Sequence, residues 1–180
     1  TLFPYTTLFR SILVDSSRII ADMAVELVGN DPEKFNAAFE LTAAQKPKYS
    51  MRAGRVVDLV SRRYPELIKP YLCRIISELP RVTNESVKRC FLKIIVDNPY
   101  NKQDDNLAVL MNCCFDWLAD GKQSIATRAY SMMILYNISS LEPEIKNELL
   151  MVIEAQMPTA STGLKSIGRR LMKNLRKEIP

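Results

Sequence analysis

The sequence predicts an all-α fold, namely a right-handed solenoid in which antiparallel helix pairs stack side by side. Apolar residues recur at helical spacing through most of the 180 residues, with capping and turn residues between the runs. The pattern of one helix pair also repeats with a period of about 39 residues. A helix pair of this size cannot bury its apolar face alone, so it requires neighbours like itself.

Independent landmarks in both helices of each pair mark the repeat. In the first helix a small residue recurs at steps of 37, 39 and 39, at the positions Ala53, Cys90, Ala129 and Gly168. In the second helix, Pro65-Glu66-Leu67 matches Pro143-Glu144-Ile145 two steps of 39 later, and the copy between them is expected to start near Asp104. A generic helical bundle would not require this equal spacing, so a repeat is the favoured interpretation.

The predicted helix pairs follow one another without a break. They cover residues 16–45, 46–80, 81–120 and 121–158, and a closing helix covers residues 160–178. No Gly/Ser-rich linker and no low-complexity run separates them. We therefore predict that residues 12–180 form a single domain.

The first pair begins with a helix predicted from Ser16 to Val28, with Asp15 or Ser16 as its N-cap. Its apolar positions at helical spacing are expected to face the core, and these are Ile19, Ile20, Met23, Leu27 and Val28. Gly29 ends this helix, and Asp31-Pro32 opens the next one, which runs to about Ala44.

The later helices are predicted by the same signals. Pro65 opens a helix that runs to Leu79, while Asn84 caps a helix that Pro99 stops. Further helices are expected over residues 106–118, 124–137, 143–157 and 163–177.

Residues 1–11, TLFPYTTLFRS, need a separate explanation. They fit neither the helix nor the strand pattern, and all eleven match an in-frame translation of a common short-read sequencing adapter. A signal peptide is excluded because Pro4 and polar residues interrupt any apolar run. We therefore interpret residues 1–11 as a non-native segment, leave them out of the predicted fold, and expect the natural protein to begin upstream of Ile12.

The net charge of +5 comes from the C-terminal helix. Residues 160–180 hold six of the 25 basic residues and one of the 20 acidic residues, which leaves 19 of each in the rest of the chain. Such a helix can contact phosphate or an acidic partner, with Arg169, Arg170 and Lys173 as the candidate residues. The simpler interpretation, which we favour, is that these cations complement the helix dipole and solvate a closing helix.

The composition argues against an enzyme. Without histidine, the sequence has no Ser-His, Cys-His or histidine-containing metal site, and its five scattered glycines form no phosphate-binding loop. The neighbouring acids Asp104-Asp105 and Glu142/Glu144 lie at predicted helix starts, where the helix dipole explains them. We therefore predict no catalysis, no cofactor and no metal.

Cysteine spacing and hydropathy indicate a cytoplasmic protein that does not enter the membrane. The four cysteines lie within predicted helices without a C-x-x-C spacing, which is typical of reduced structural thiols. No apolar run approaches the roughly 18 residues that a membrane-spanning helix needs.

Partner binding is the function for which the sequence provides a mechanism, because stacked helix pairs form an extended surface. Positions off the apolar stripe of the second helices form three equivalent sets: Glu78, Trp117 and Gln156; Ser77, Asp116 and Ala155; Cys73, Asn112 and Met151. We predict a protein- or peptide-binding scaffold that contacts its partner through Trp117, Asn112, Asp116, Gln156 and Met151. Trp117 is the single tryptophan, and an exposed tryptophan is a frequent interface anchor. The alternative is a shifted register that buries Trp117 in the core.

The two-helix unit and its period resemble HEAT repeats over roughly Lys46 to Pro180. The run from Arg52 to Leu72, with R-A-G-R-V-V-D-L-V and then Y-P-E-L-I-K-P-Y-L, looks like short, uncharacterised HEAT-like proteins of bacteria. This resemblance implies that the second helices line the inner, partner-binding side.

A second resemblance supplies the alternative function. The DNA-alkylation-repair glycosylases also have HEAT-like repeats, and in that family an aspartate and aromatic residues face DNA. By this resemblance, Asp116-Trp117 would be the corresponding pair and the chain would bind DNA. The charge-neutral middle of the chain argues against a phosphate-binding inner surface, so nucleic acid is the less favoured partner.

Overall fold

The computed structural model describes residues 3–98 and 106–179, which form helices and turns with no strand among them. The prediction of an all-α fold is therefore confirmed. Within these two ranges, no helix is long and apolar enough to cross a membrane. The chain divides into two units, which meet in the sequence after Asn98 and are described separately as unit one and unit two.

Unit one is organised around its fourth helix. Its helices are α1 (Phe3–Ile12), α2 (Arg18–Val28), α3 (Pro32–Ala43), α4 (Tyr49–Arg63), α5 (Pro65–Ile68), α6 (Leu72–Glu78) and α7 (Glu85–Asp97). Helices α2, α3 and α7 all pack against α4. The side chains of α4 at these contacts are small or β-branched, and Ala53, Val56, Val57 and Val60 are fully buried.

Local capping determines where several of these helices begin. The carboxylate of Asp31 accepts hydrogen bonds from the backbone N–H groups of Glu33 at 2.9 Å and Lys34 at 3.2 Å, and Pro32 occupies the first turn of α3. The side chain of Asn84 caps α7 in the same way. Both caps are predicted from the sequence because they depend only on neighbouring residues.

The prediction that residues 1–11 fit no helix is wrong. Helix α1 covers most of them, with Pro4 in the first turn, where a missing N–H leaves no helical hydrogen bond unmade. Phe9 is fully buried, and α1 packs against α3. Nη1 of Arg52 donates to the carbonyl of Leu13, immediately after α1, at 2.7 Å. This segment therefore contributes to the core of unit one, and its adapter origin stays a prediction.

The predicted buried face of α2 is wrong at Ile19 and Met23, although Val28 is buried as predicted. Ile19 and Met23 are 72% and 57% exposed, whereas Ala21, Ala24 and Val25 are buried. Alanine side chains allow two helix axes to approach more closely than bulky side chains do. The alanines and valines of α2 therefore occupy its contact with the rest of unit one, whereas Ile19 and Met23 face outward.

Two predicted boundaries in unit one need correction. The N-cap of α2 is Ser17 rather than Asp15 or Ser16, and Asp15 instead accepts a hydrogen bond from the N–H of Ser17 at 2.7 Å. The helix predicted from 65 to 79 is interrupted by the 3-10 turn Lys69–Tyr71, which contains Pro70. Proline has no N–H to donate and its ring clashes with the preceding turn, so an α-helix cannot continue unchanged through it.

Unit two consists of four helices in its described part, and three of them pack against the fourth, which is Ile125–Ile138. They are α8 (Leu107–Ala119), α9 (Ile125–Ile138), α10 (Lys146–Gln156) and α11 (Thr162–Glu178). Helix α9 contacts the other three, and α10 also packs against α8 and α11. The 3-10 turn Pro143–Ile145 occupies the first turn of the helix predicted from residue 143. The expected start near Asp104 and the stop at Pro99 lie outside the described residues.

The small-residue landmark is buried at three of its four positions, namely Ala53, Cys90 and Gly168. At Gly168 a Cβ atom would lie 2.5 Å from Cε of Met157, so α11 approaches that residue closely. Ala129 differs because it is partly exposed, while Arg128 and Ser131 of the same helix are buried. Helix α9 is therefore rotated relative to the expected register.

Candidate partner-binding surface

The second helices of the repeats provide the surface considered for binding. In unit one these are α3 and α6, and in unit two they are α8 and α10. We call their outward-facing residues the second-helix surface of unit one and of unit two.

The predicted equivalence of surface positions is reflected in their exposure. Two of the sets are exposed throughout, namely Cys73, Asn112 and Met151, and Ser77, Asp116 and Ala155. The third set, Glu78, Trp117 and Gln156, is half-buried throughout. All nine residues therefore agree with the 39-residue register that relates them. The sequence offers two interpretations of Trp117, an exposed interface anchor or a core residue. In the structure its side chain is half-buried, which matches neither fully.

Three charged groups on the second-helix surface of unit one, those of Arg74, Glu40 and Glu78, form one ion-paired cluster. The guanidinium of Arg74 pairs with the carboxylate of Glu40, with one hydrogen bond at 3.0 Å, and with that of Glu78 at 2.7 Å. It also lies over the ring of Phe39, 5.2 Å from the ring centroid. The hydrogen bonds that Arg74 donates to Glu40 are the main cause of a raised pKa at Arg74, which favours the charged form of this side chain.

An aromatic contact between Tyr71 and Phe39 lies next to this ion-paired cluster. The Tyr71 ring packs against Phe39 with centroids 4.4 Å apart, and its hydroxyl donates to Oδ1 of Asn36 at 3.0 Å. Burial raises the pKa of Tyr71, which keeps the hydroxyl protonated as a donor. These contacts join α3 to the segment that follows α5, so the polar groups of unit one's surface are used within the unit.

The second-helix surface of unit two has a different character. Met151 on α10 is 69% exposed, the largest exposed fraction of a bulky apolar side chain in this unit's described part. On α8, the partly exposed side chains include three bulky ones, Met111, Phe115 and Trp117. Because α8 and α10 pack against each other, these apolar groups belong to one continuous pair of helices.

Gln156, a predicted partner contact, is occupied by an internal hydrogen bond. Its Oε1 accepts from Nη2 of Arg128 at 2.7 Å, and Arg128 is only 7% exposed. Nε of this buried guanidinium has no hydrogen-bond partner in the part of the chain that the structure describes. The bond that Arg128 donates to Gln156 therefore satisfies one of the buried donors of this guanidinium. Gln156 stays a predicted partner contact, with its Oε1 already used within unit two.

Acidic side chains predominate on the second helices of unit two. Residues 107–119 and 143–156 contain one cation, Lys146, and the four carboxylates Asp116, Glu144, Glu148 and Glu154. Lys146 pairs with Glu178 at 3.1 Å, and Glu154 pairs with Arg176 at 2.6 Å. The other three carboxylates are exposed and form no ion pair with any residue in the described ranges.

This segregation is hidden when the net charge of the C-terminal segment is compared only with that of the rest of the chain. Counting charges helix by helix would have revealed it, since Glu148 lies only one turn before Met151. Arg128 was missed for another reason. A buried arginine cannot be distinguished from an exposed one by sequence when the helix register is rotated.

The candidate phosphate-contacting residues lie on the outward side of α11. Arg169, Arg170 and Lys173 are exposed, and none of them forms an ion pair with another residue that the structure describes. Arg176 of the same helix is already paired with Glu154. The structure thus presents a basic strip on α11 alongside the acidic second helices of unit two.

The cysteines do not form a reactive centre in the described part of the chain. None of the four forms a disulfide in the described part of the chain, and Cys90 and Cys114 are buried. Burial raises the pKa of Cys90 to about 11 and also raises that of Cys114, which disfavours the nucleophilic thiolate. Among residues 3–98 and 106–179, no group of three or more His, Cys, Asp or Glu side chains could hold a metal ion.

Comparison with known protein families gives a match over most of the chain. Residues 12–175 match the family described as HEAT repeat domain, which covers most of the chain. No curated protein and no solved structure matches the chain.

Proposed function

This chain belongs to the HEAT-repeat family, and on that premise we propose that it is a non-enzymatic scaffold that binds a protein or peptide partner. HEAT repeats form helical scaffolds that often mediate protein interactions. The partner binds to the second-helix surface of unit two. The observation that carries this proposal is the exposure of Met151, at 69%, on a surface that also holds half-buried Trp117.

The free energy for binding comes from covering these apolar side chains. Full burial of a methionine side chain contributes about 1.5–3 kcal/mol. Its flexible, polarisable thioether adapts to partners of different shape. A half-buried tryptophan loses little conformational entropy on binding, because the protein already restrains it, and tryptophan is enriched among residues that dominate binding energy. Asn112 and Asp116, exposed one turn apart on α8, supply hydrogen-bonding groups at the edge of the apolar contact.

Substitution of the apolar side chains tests the proposal. The chain would first be used to capture its partner from cells that express the complete natural protein. Trp117→Ala should weaken binding of that partner by about 2 kcal/mol or more, measured by calorimetry. Met151→Ser should weaken it by at least about 1 kcal/mol.

Ile125→Ser provides the matched control. Ile125 is also a bulky apolar residue of unit two, 56% exposed, but it lies on the first helix α9. Its substitution should leave the affinity within a factor of about two. Equal losses for Met151→Ser and Ile125→Ser would contradict the proposed surface, and thermal melts of each variant would separate loss of binding from loss of folding.

DNA binding is the second candidate, and the unpaired cations of α11 are the observation in its favour. If the chain binds DNA there, changing Arg169, Arg170 and Lys173 to Gln should weaken binding to all sequences and reduce its salt dependence. We expect the unmodified chain to bind duplex DNA only weakly at low salt and not at moderate salt. Tight binding that persists at moderate salt would replace the scaffold proposal with the DNA-binding one.

The compartment proposed for this function is the cytoplasm. No disulfide joins the four cysteines in the described part of the chain, and two of them are buried, as is common in proteins of reducing compartments. The bacterial origin suggested by the sequence resemblance is compatible with this location.

A further inference from the structure

We infer that the partner segment bound by the second-helix surface of unit two is basic as well as apolar, with lysine or arginine side chains next to an apolar anchor. The inference rests on the proposed function and adds the chemical class of the partner. It is carried by the unpaired carboxylates Asp116 and Glu148, which lie on the same two packed helices as Asn112 and the exposed side chain of Met151.

The two units differ in how most of the carboxylates on and near their second helices are paired. In unit one, the carboxylates of Glu40 and Glu78 are paired with Arg74, and Glu66 pairs with Lys69 at 3.0 Å. A charged partner would have to break these pairs to bind there. The corresponding helices of unit two carry carboxylates that form no ion pair within the described part of the chain. A basic partner can therefore pair with them without first breaking an existing ion pair.

The position of these carboxylates along the helices also matters. Glu148 and Met151 are three residues apart on α10, and Asn112 and Asp116 are four apart on α8. Residues at these separations are neighbours on one face of a helix. Each helix of the pair therefore presents a carboxylate within one turn of a position already assigned to the contact. Glu144, exposed in the turn before α10, extends the acidic edge.

Complementarity of charge then restricts the partner. An apolar segment with acidic neighbours would bring like charges together at Asp116 and Glu148, which is unfavourable and excludes such partners. A segment with lysine or arginine near its apolar anchor would gain attraction during approach and hydrogen-bonded ion pairs once bound. The same carboxylates disfavour nucleic acid on this surface, because its phosphates would be repelled.

The probe is a library of random linear peptides displayed on phage and selected against the immobilised full chain. Selected peptides should be enriched in Lys and Arg together with Leu, Phe, Trp or Met, and depleted in Asp and Glu. The tightest synthetic peptide would then be titrated against variants of the chain.

Two double variants with the same change in net charge give the sharpest comparison. Asp116→Asn with Glu148→Gln should weaken binding about tenfold and flatten its dependence on salt. Asp22→Asn with Glu33→Gln removes two exposed carboxylates from unit one and should change the affinity less than about twofold. An equal loss in both double variants would mean that only the overall charge matters, and it would overturn the inference.

The remaining outcomes distinguish the inference from the proposed function. Neutral or acidic peptides whose binding is lost in Trp117→Ala would overturn the inference and leave the scaffold function standing. Peptides whose binding depends on neither Trp117 nor Met151, or a selection that enriches no peptide, would count against the proposed function itself. Basic peptides that lose affinity in both the Met151→Ser and the Asp116/Glu148 variants would support both.

Discussion

Gly54 of α4 lies in close contact with two neighbouring helices, so adding a side chain there tests the packing of unit one. A Cβ atom at this residue would lie 3.2 Å from Cγ2 of Thr42, 3.3 Å from Sγ of Cys90 and 3.5 Å from Cβ of Cys90. Thr42 belongs to α3 and Cys90 to α7. Because the two contacts come from different helices, α4 cannot move away from one without a change at the other.

The expected magnitude is the balance of two effects. Replacing a glycine in a helix by a better helix former gains about 1 kcal/mol. Forcing additional carbons into a filled contact costs about 1–3 kcal/mol, and sometimes more. Carbon atoms prefer separations of about 3.5–4.0 Å, so even one Cβ at Gly54 is slightly too close to Thr42. We expect Gly54→Ala to change the free energy of unfolding by less than about 1 kcal/mol, and Gly54→Leu to lower it by about 1–3 kcal/mol.

Urea denaturation followed by far-UV circular dichroism would measure these differences, with slopes compared to verify that the unfolding transition is unchanged. Gly163 of α11 is the control, since a Cβ atom there would have no heavy atom within 4 Å. Gly163→Leu should be neutral or stabilising. A Gly54→Leu variant as stable as Gly163→Leu would refute the close approach of α3 and α7 to α4.

A second substitution tests the cause. Thr42→Ser removes the Cγ2 atom that lies nearest the added Cβ, while its hydroxyl can still donate to the carbonyl of Ala38, as Oγ1 of Thr42 does at 2.9 Å. In a double-mutant cycle, the loss in free energy of unfolding is compared between the double variant and the two single variants. The loss for Gly54→Ala with Thr42→Ser should be smaller than the sum of the two single losses by at least about 0.5 kcal/mol. Additive effects would show that Thr42 is not the obstacle.

Two other predictions follow from burial. Val25→Ala should lower the free energy of unfolding by about 2 kcal/mol, whereas Ile19→Ala on the exposed side of α2 should change it by less than about 0.5 kcal/mol. A larger loss of stability for Ile19→Ala than for Val25→Ala in denaturant melts would show that Ile19 lies on the buried face of α2, as the sequence predicts. Exposed Cys73 should react with iodoacetamide in the folded protein, while Cys90 should react only as the protein unfolds. With the pKa of Cys90 raised to about 11, roughly one such thiol in a thousand is ionised near pH 8, so equal labelling rates by mass spectrometry would contradict its burial.

What the sequence determined on its own are the features that depend on neighbouring residues. The caps Asp31 and Asn84 were predicted because an N-cap needs only its own side chain and the next few N–H groups. The repeat register was predicted as well, and it related Cys73, Asn112 and Met151 correctly because helical periodicity carries over from one copy to the next. The family followed from that same period.

For α2, the tertiary structure alone decided which side of the helix has a neighbour. Ile19 and Met23 form an apolar stripe that the sequence predicts to be buried, yet Ala21 and Ala24 lie at the contact because close approach requires small side chains. Hydrophobicity cannot reveal this choice, since both faces of α2 carry apolar residues.

The same limit applies to the binding surface. Glu40 and Glu148 are both glutamates on second helices, but Glu40 has Arg74 within reach on the adjacent helix, whereas no described residue pairs with Glu148. Gln156 is likewise committed to Arg128, a residue 28 positions away in the sequence. Whether a charged or polar group is available to a partner depends on what folding brings beside it, because electrostatic and hydrogen-bonding partners are chosen by distance in space.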